Sequence, residues 1–303
     1  MDLRQIQALI AIADQGSFSA AAASLHTVQS NISSHVARLE RELAVQLVDR
    51  HTGRLTEEGA AVVERGRRAV SEIEAAVSDV AALRDEVTGT VRIGMIGTTA
   101  RWLAPLLLEA AAARHPKVRL VVGDGTSATL EPHLASGSLD AAIVNLPQGI
   151  PELVEHPLFD EDLILVLPTD HPLAGVGSAQ LKDLDGLELL LPAPGTAFRV
   201  EIDQACREAG VTLVPRAELD GVRLMASLAV KGLGPAILPA TGATEGVMKL
   251  ARVMIPDLPR RRVGVVLRRR GRPSAPARAT LEVLDAVVKE NLDPAMGLHP
   301  PAP

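Results

Sequence analysis

Aromatic residues are almost missing from this chain: its 303 residues hold three Phe, one Trp and no Tyr. Cores must therefore be built from Ala, Leu, Val and Ile, and the stacking platforms that grip single-stranded nucleic acid have no material. Cysteine occurs once, as Cys206. That excludes an internal disulfide framework and a multi-cysteine metal site. No stretch reaches the roughly 18 uncharged apolar residues of a membrane span. The opening MDLRQ meets Asp14 before any adequate apolar segment, so no secretory signal is expected. These absences point to a soluble, cytoplasmic protein with no membrane partner. The formal net charge of -6 does not announce a nucleic-acid binder.

What is present is ordinary globular material, 47% apolar and 22% charged, long enough for about two domains. Leu3, Ile6, Leu9, Ile10 and Ala13 recur at helical spacing, and Gly16 stops the run. Ser19 is placed to cap a second short helix, Ala20 to Leu25. After His26-Thr27-Val28, a third helix runs from Gln29 to Leu43 with Ile32, Val36, Leu39 and Leu43 on one face. Helix, short turn, helix is the helix-turn-helix pattern.

Residues 58–87 form an Ala-rich stretch without Pro. Val63, Val70 and Val77 repeat every seven residues, and Ile73, Val80 and Val87 do the same three positions away. That is a heptad seam, broken by Gly66 and Arg84. It predicts a long helix that joins two chains, the competing reading being a helix packed only on its own domain. From Gly89 the texture changes. Strand and helix patterns alternate to residue 290, which predicts α/β with mainly parallel strands. The Pro-rich end, 291–303, is expected to be loose.

Taken whole, the front end is similar to the DNA-binding domain of the LysR-type transcriptional regulators. The matching pieces are Gly16-Ser17-Phe18, Ala21-Ala22 with Leu25, Gln29 with Ile32-Ser33, Leu39-Glu40, Leu47 with Arg50, and Leu55-Thr56 with Gly59. Four positions depart from the family pattern: Val28 stands for a common Ser, Ala44 for Gly and Val48 for Phe, and the wing between Arg50 and Leu55 is shorter. The rest resembles the family's two-lobed effector domain, like that of type 2 periplasmic binding proteins. Its pieces are VRIGMIG with Thr98-Thr99, the Gly-Ser-Leu-Asp run at 137–140, His171-Pro172-Leu173, and Gly232-Leu233-Gly234 before Ile237-Leu238-Pro239.

The resemblance implies a winged helix-turn-helix over 1–58, a linker and dimerisation helix over 59–88, and an effector-binding domain over 89–303. Lobe I would take 89–163 and 265–290, and lobe II 164–264. It also implies a transcription factor that binds double-stranded operator DNA as a homo-oligomer, a dimer of dimers, and answers to a small effector. No cofactor is expected.

A recognition helix must bury one side and show polar side chains to the major groove. With Ile32, Val36 and Leu39 inward, Gln29, Ser30, Asn31, Ser33, Ser34, His35 and Arg38 remain for DNA. Ser30 or Asn31 can instead cap the helix start. Arg50, His51, Thr52 and Arg54 are the wing's candidates, Arg50 being equally suited to an intradomain salt bridge. In the second half, Thr98, Thr99, Thr126, Ser127 and Thr196 fall where strands give way to helices. Free N–H groups there favour an anion, or the residues simply cap. Asn145 ends an apolar strand, and Arg199 can meet a ligand carboxylate or bridge the lobes. A small anionic metabolite is the expected ligand.

Residues 1–58 hold five Arg and no Lys against seven acids, so a DNA face must come from segregation of charge. Residues 252–278 hold nine Arg and one acid, Asp257. This stretch is either a second nucleic-acid patch or, as we read it, strand ends and a loop. GMIGTT lacks the G-x-G-x-x-G spacing of a dinucleotide site. No nucleophile elbow or H-E-x-x-H is present, and the histidines are scattered, so no enzyme is expected. Cys206, in a helical pattern, reads as buried and inert, the alternative being a redox-sensor thiol. The alternative function is a small-molecule binding module of transport-receptor type without DNA binding.

Overall fold

Asp2 opens the first helix through a reciprocal cap: its carboxylate accepts from Gln5 N–H at 2.9 Å, and Gln5 Oε1 accepts from Asp2 N–H at 2.8 Å. Helix α1 (Leu3–Gln15) ends at Gly16, whose φ of 72° only glycine adopts without strain. In the computed structural model, which describes residues 1–50, 52–243 and 250–302, α2 (Phe18–Ser24) and α3 (Gln29–Leu43) follow. Ser17, not Ser19, caps α2, accepting from Ala20 N–H at 3.2 Å. Leu9, Ile12, Ala21, Ile32, Val36, Leu39 and Leu47 close a small core.

Two sequence departures have visible consequences. Val28 stands at the N-cap of α3 without a side-chain cap. Ala44 ends α3 at φ 55°, a left-handed conformation that glycine would adopt more cheaply. Val48 pairs with Leu55 across the short wing. Thr56 caps α4 (Glu57–Ala82) and donates to Gln46 O at 2.8 Å. Gly59 lies so close to Leu47 that a Cβ would meet its carbonyl oxygen at 2.0 Å, and a Cβ on Gly66 would meet Ile6 at 2.6 Å. Gly66 breaks the heptad because α4 crosses α1 there.

Past β1 (Gly89–Ile96) come α5 (Gly97–Arg114), β2 (Val118–Gly125), α6 (Ser127–Ala135), β3 (Ala141–Leu146), β4 (Leu153–Glu161) and β5 (Leu163–Pro168). Then follow β6 (Glu188–Pro192), α7 (Ala197–Ala209), β7 (Val214–Leu219), α8 (Val222–Val230), β8 (Ala236–Pro239), β9 (Leu250–Met254), β10 (Arg261–Arg268), α9 (Ala275–Glu290) and β11 (Leu298–His299). Among the described residues the strands form two sheets, ordered β11-β4-β10-β3-β1-β2 and β7-β6-β8-β5-β9. Each has its own apolar core, so the domain has two lobes.

The sheets are mixed rather than mainly parallel. Only the pairings of β1 with β2 and β3, and of β6 with β7 and β8, are parallel. The remaining pairings run antiparallel because β4 leaves the first lobe and β10 returns to it side by side. The return falls before Arg261, so β10 begins four residues ahead of the expected boundary at 265. Strands β4 and β7 escape sequence patterning because each holds a proline. Pro157 faces Gly264 at a register shift, and Pro215 lies on an edge strand. Nor is the end of the chain loose through its described residues. Strand β11 adds to β4, Ala302 N–H donates to Asp160 at 2.9 Å, and Arg262 donates to Ala302 O at 2.9 Å.

Candidate nucleic-acid interface and effector cleft

Helix α3 turns Ile32, Val36 and Leu39 into the core and leaves Gln29, Ser30, Asn31, Ser33, Ser34 and Arg38 exposed. Neither Ser30 nor Asn31 caps the helix: Asn31 Nδ2 instead donates to Thr27 Oγ1 at 2.9 Å, which holds the amide on the outer side of the turn. His35 departs from the exposed set, being half-buried with its Nδ1 enclosed and unpartnered. The Asp2 carboxyl is held below its ordinary range first by the Gln5 N–H, with the charges of His35 and Arg38 adding to it. These two residues therefore lie beside the start of α1.

Glu40, a residue the sequence singled out only as half of a Leu-Glu pair, organises the wing. Its Oε1 accepts from Leu47 N–H at 2.9 Å and Val48 N–H at 3.3 Å, and its Oε2 meets Arg50 at 3.3 Å. Arg50 thus makes the intradomain salt bridge while staying largely exposed. Arg54 and Thr52 are exposed, and His51 lies outside the described residues.

The second group of predicted residues gathers at the carboxyl ends of parallel strands, where open α/β sheets place their ligands. Thr98 and Thr99 follow β1, Thr126 and Ser127 follow β2, and Asn145 lies in β3. Their roles differ. Thr126 caps α6 in a reciprocal cap with Thr129. Thr98 Oγ1 accepts from Arg261 Nη2 at 3.2 Å. Thr99 is fully buried, and its Oγ1 has no partner; neither has the enclosed Oδ1 of Asn145. A buried, unpaired oxygen is costly, and these two mark the same sheet edge.

In lobe II, Thr196 caps α7, accepting from Arg199 N–H at 3.3 Å. Arg199 does not bridge the lobes. It is held by Asp203 at 2.8 Å, Glu218 at 3.0 Å and the Pro192 carbonyl at 2.9 Å, all within lobe II. An ion pair between the lobes joins Arg223 of α8 to Asp124 of β2. Gly97 admits it: a Cβ there would meet Arg223 Cδ at 2.7 Å.

Where the chain passes between lobes, three consecutive acids face three consecutive arginines. Arg260 meets Asp162 at 2.7 Å, Arg261 meets Glu161 at 3.0 Å, and Arg262 meets Asp160 at 2.9 Å. Glu161 and Arg261 are buried, and Glu161 also accepts from Thr241 Oγ1 at 2.8 Å. Most of the Arg-rich 252–278 stretch is thereby absorbed into the fold. Arg252, Arg268 and Arg269 donate to main-chain carbonyls, and Arg278 pairs with Asp79. Cys206 is buried in α7, and burial first, then the nearby Asp203 charge, pushes its thiol above the ordinary range.

A winged helix-turn-helix, a linker helix and a two-lobed α/β domain together define a DNA-binding transcriptional regulator. The bacterial regulatory helix-turn-helix model of the lysR family matches residues 3–60, and the LysR substrate binding domain matches residues 84–289. Among similar proteins, a "probable hydrogen peroxide-inducible genes activator" of Mycobacterium leprae is 34% identical over 295 residues, covering 93% of each chain. A protein of the same description from Streptomyces viridosporus is 32% identical, covering 95% of this chain and 93% of its own. Among solved structures, a full-length OxyR variant from Pseudomonas aeruginosa superposes with a TM-score of 0.76 at 25% identity, covering 100% of this chain and 99% of that one.

The chain belongs to the LysR family of bacterial transcriptional regulators. The match over residues 3–60 sets aside the alternative of a binding module without DNA function. Among the described residues, no helix is long and apolar enough to cross a membrane.

Proposed function

We propose that α3 enters the major groove of a two-fold operator and that a small anionic metabolite, held between the lobes, changes the affinity of the oligomer for that operator. The supporting observation at the DNA end is the row of exposed, polar residues on α3 opposite its buried Ile32, Val36 and Leu39. Gln29 and Asn31 suit bidentate contacts to adenine, the serines suit bases or phosphates, and Arg38, Arg50 and Arg54 suit phosphates. At the ligand end, Thr99 and Asn145 are the best candidates, because their oxygens lack partners. Ser127 lies at the start of α6 on the same edge. Two-fold pairing along α4 sets two half-sites about 34–36 Å apart, and pairing of dimers makes the tetramer. Binding to chromosomal DNA places the chain in the cytoplasm, and we assign it no catalytic role.

A peroxide response is the second reading, since the curated relatives are described as hydrogen peroxide-inducible activators. Cys206 argues against it: a single buried thiol, whose burial disfavours the nucleophilic thiolate, has no second cysteine in its chain. One experiment tests both. Purified protein is titrated onto the DNA upstream of its own gene, with mono- and dicarboxylates or with hydrogen peroxide. We expect Ser34→Ala to weaken operator binding by about 1–3 kcal/mol at fixed salt, with unchanged circular dichroism. Unaltered affinity in both Ser34→Ala and Asn31→Ala removes α3 from the groove. A shift by peroxide that Cys206→Ser abolishes would favour the second reading.

A further inference from the structure

Between α4 and lobe I lie two adjoining cavities, of about 330 and 900 Å³, that share Glu72, Arg268, Arg270 and Gly271 in their walls. The larger one is lined by Arg65 and Arg68 from α4 and by Arg268, Arg269 and Arg270 from the end of β10 and the loop after it. Only Glu72 and Glu152 oppose these five cations in its walls. Arg268 is fixed by the Leu139 carbonyl at 3.0 Å, and Arg269 by the carbonyls of Pro151 at 2.7 Å and Leu153 at 3.0 Å. Carbonyls orient a guanidinium without cancelling its charge. Arg68 meets Glu64 at 2.8 Å through Nη2, yet its Nε is enclosed and has no hydrogen-bond partner. The side chains of Arg65 and Arg270 make no hydrogen bond or ion pair among the described residues.

We propose that this basic pocket binds a small polyanion, a phosphate- or tricarboxylate-bearing metabolite, at a site separate from the cleft between the lobes. Several oriented but unneutralised guanidiniums around one cavity are the arrangement that multivalent oxyanions satisfy, because each can accept paired N–H donors. One wall belongs to the helix that carries the DNA-binding domain and the other to the sensor domain. A bound anion therefore clamps the two together. Arg68 lies well round α4 from Ile73, Val77 and Val80 at 3.6 residues per turn, and Ile73 and Val77 border only the smaller cavity.

The full-length protein is titrated by calorimetry with pyrophosphate and, separately, citrate, at constant ionic strength set by potassium chloride. Saturable binding near one per chain is expected for at least one probe, weakened tenfold or more in the Arg65→Gln/Arg270→Gln variant and unaltered in Thr99→Val. Both substituted arginines are exposed, so the variant should keep its circular dichroism and melting temperature. Absence of saturable heat with both probes, undiminished affinity in the double variant, or loss of binding in Thr99→Val overturns the proposal. So does a result in which only a DNA duplex binds in an Arg65- and Arg270-dependent way, which would make the pocket a backbone contact.

Discussion

Thr99 and Asp140 both hold polar groups that their surroundings disfavour. The Thr99 hydroxyl is sealed from water and makes no hydrogen bond. Replacing it by the methyl of Val removes an unpaired polar atom at nearly constant volume, so Thr99→Val should leave the melting temperature unchanged or raise it. If that oxygen serves a ligand, effector affinity falls at the same time. Calorimetry against the carboxylate that shifts operator binding, together with a melting curve, reads both. A lowered melting temperature with normal effector binding would assign Thr99 to the fold alone.

Asp140 is half-buried beside β1 and accepts from Arg92 N–H at 2.7 Å. Burial raises its carboxyl above the ordinary range, more than this bond and the charge of Arg92 lower it. The folded state then holds the proton more tightly than the unfolded one, so ionisation costs stability as pH rises through the folded value. Asp140→Asn keeps an acceptor for Arg92. The variant should match or exceed the parent at pH 7, with the advantage disappearing once pH falls below the unfolded carboxylate value. Urea melts at pH 7 and at about pH 3, below the unfolded carboxylate value, test the sign, and a variant less stable at pH 7 would contradict it.

At the scale of elements, α4 divides its labour along its length. Its first turns belong to the DNA-binding domain, where Val63 is buried and Gly66 packs on Ile6. Its later turns expose Ile73 (47%), Val77 (68%), Val80 (57%) and Leu83 (86%). The heptad therefore serves two purposes: Val63 is core, and only the later positions are available to another chain. In lone chains a row of exposed aliphatics on one helix face is a liability, and burial against a second α4 would resolve it. Ile73→Asp would put an unpaired charge in that contact. We expect sedimentation velocity to show dissociation and operator binding to fall with it, and an unchanged oligomer would refute the seam. Helix α3 was legible because its buried side is written in a 3.6-residue period. The wing was not, because its geometry hangs on Glu40 reaching main-chain N–H groups seven and eight residues away.

For the whole molecule, the passage between lobes is the feature that integrates distant parts. The ladder of Asp160, Glu161 and Asp162 against Arg260, Arg261 and Arg262 ties the outgoing strand to the returning one. The end of the chain closes over it: His299 Nε2 lies 2.7 Å from Asp162 Oδ2, Asp162 N–H donates to Gly297 O at 2.9 Å, and Arg252 donates to Met296 O at 2.9 Å. A chain ending at Asn291 loses β11 and leaves these charges less well paired. It should melt several degrees lower, on the scale of about 1–3 kcal/mol for unsatisfied polar groups, and thermal denaturation followed by circular dichroism checks this. An unchanged midpoint would show the tail to be a passive covering.

The sequence by itself determined the helix-turn-helix face, the two-part layout and the helices and strands other than the proline-bearing β4 and β7 and the short β9 and β11, since periodicity, caps and breakers act over a few residues. It also restricted thiol chemistry within the chain to one cysteine. Only the tertiary structure decided which polar groups are already occupied. Arg199, Arg261 and Thr98 look alike to a sequence reader as candidate ligand contacts or free surface charges. Yet Arg199 is spent inside lobe II, and Arg261 joins Thr98 and Glu161, 163 and 100 residues away. The partners of Arg261 meet only where the strands that leave and re-enter the first lobe lie side by side. Their pairing is set by where the chain returns, a property that no window of neighbouring residues contains.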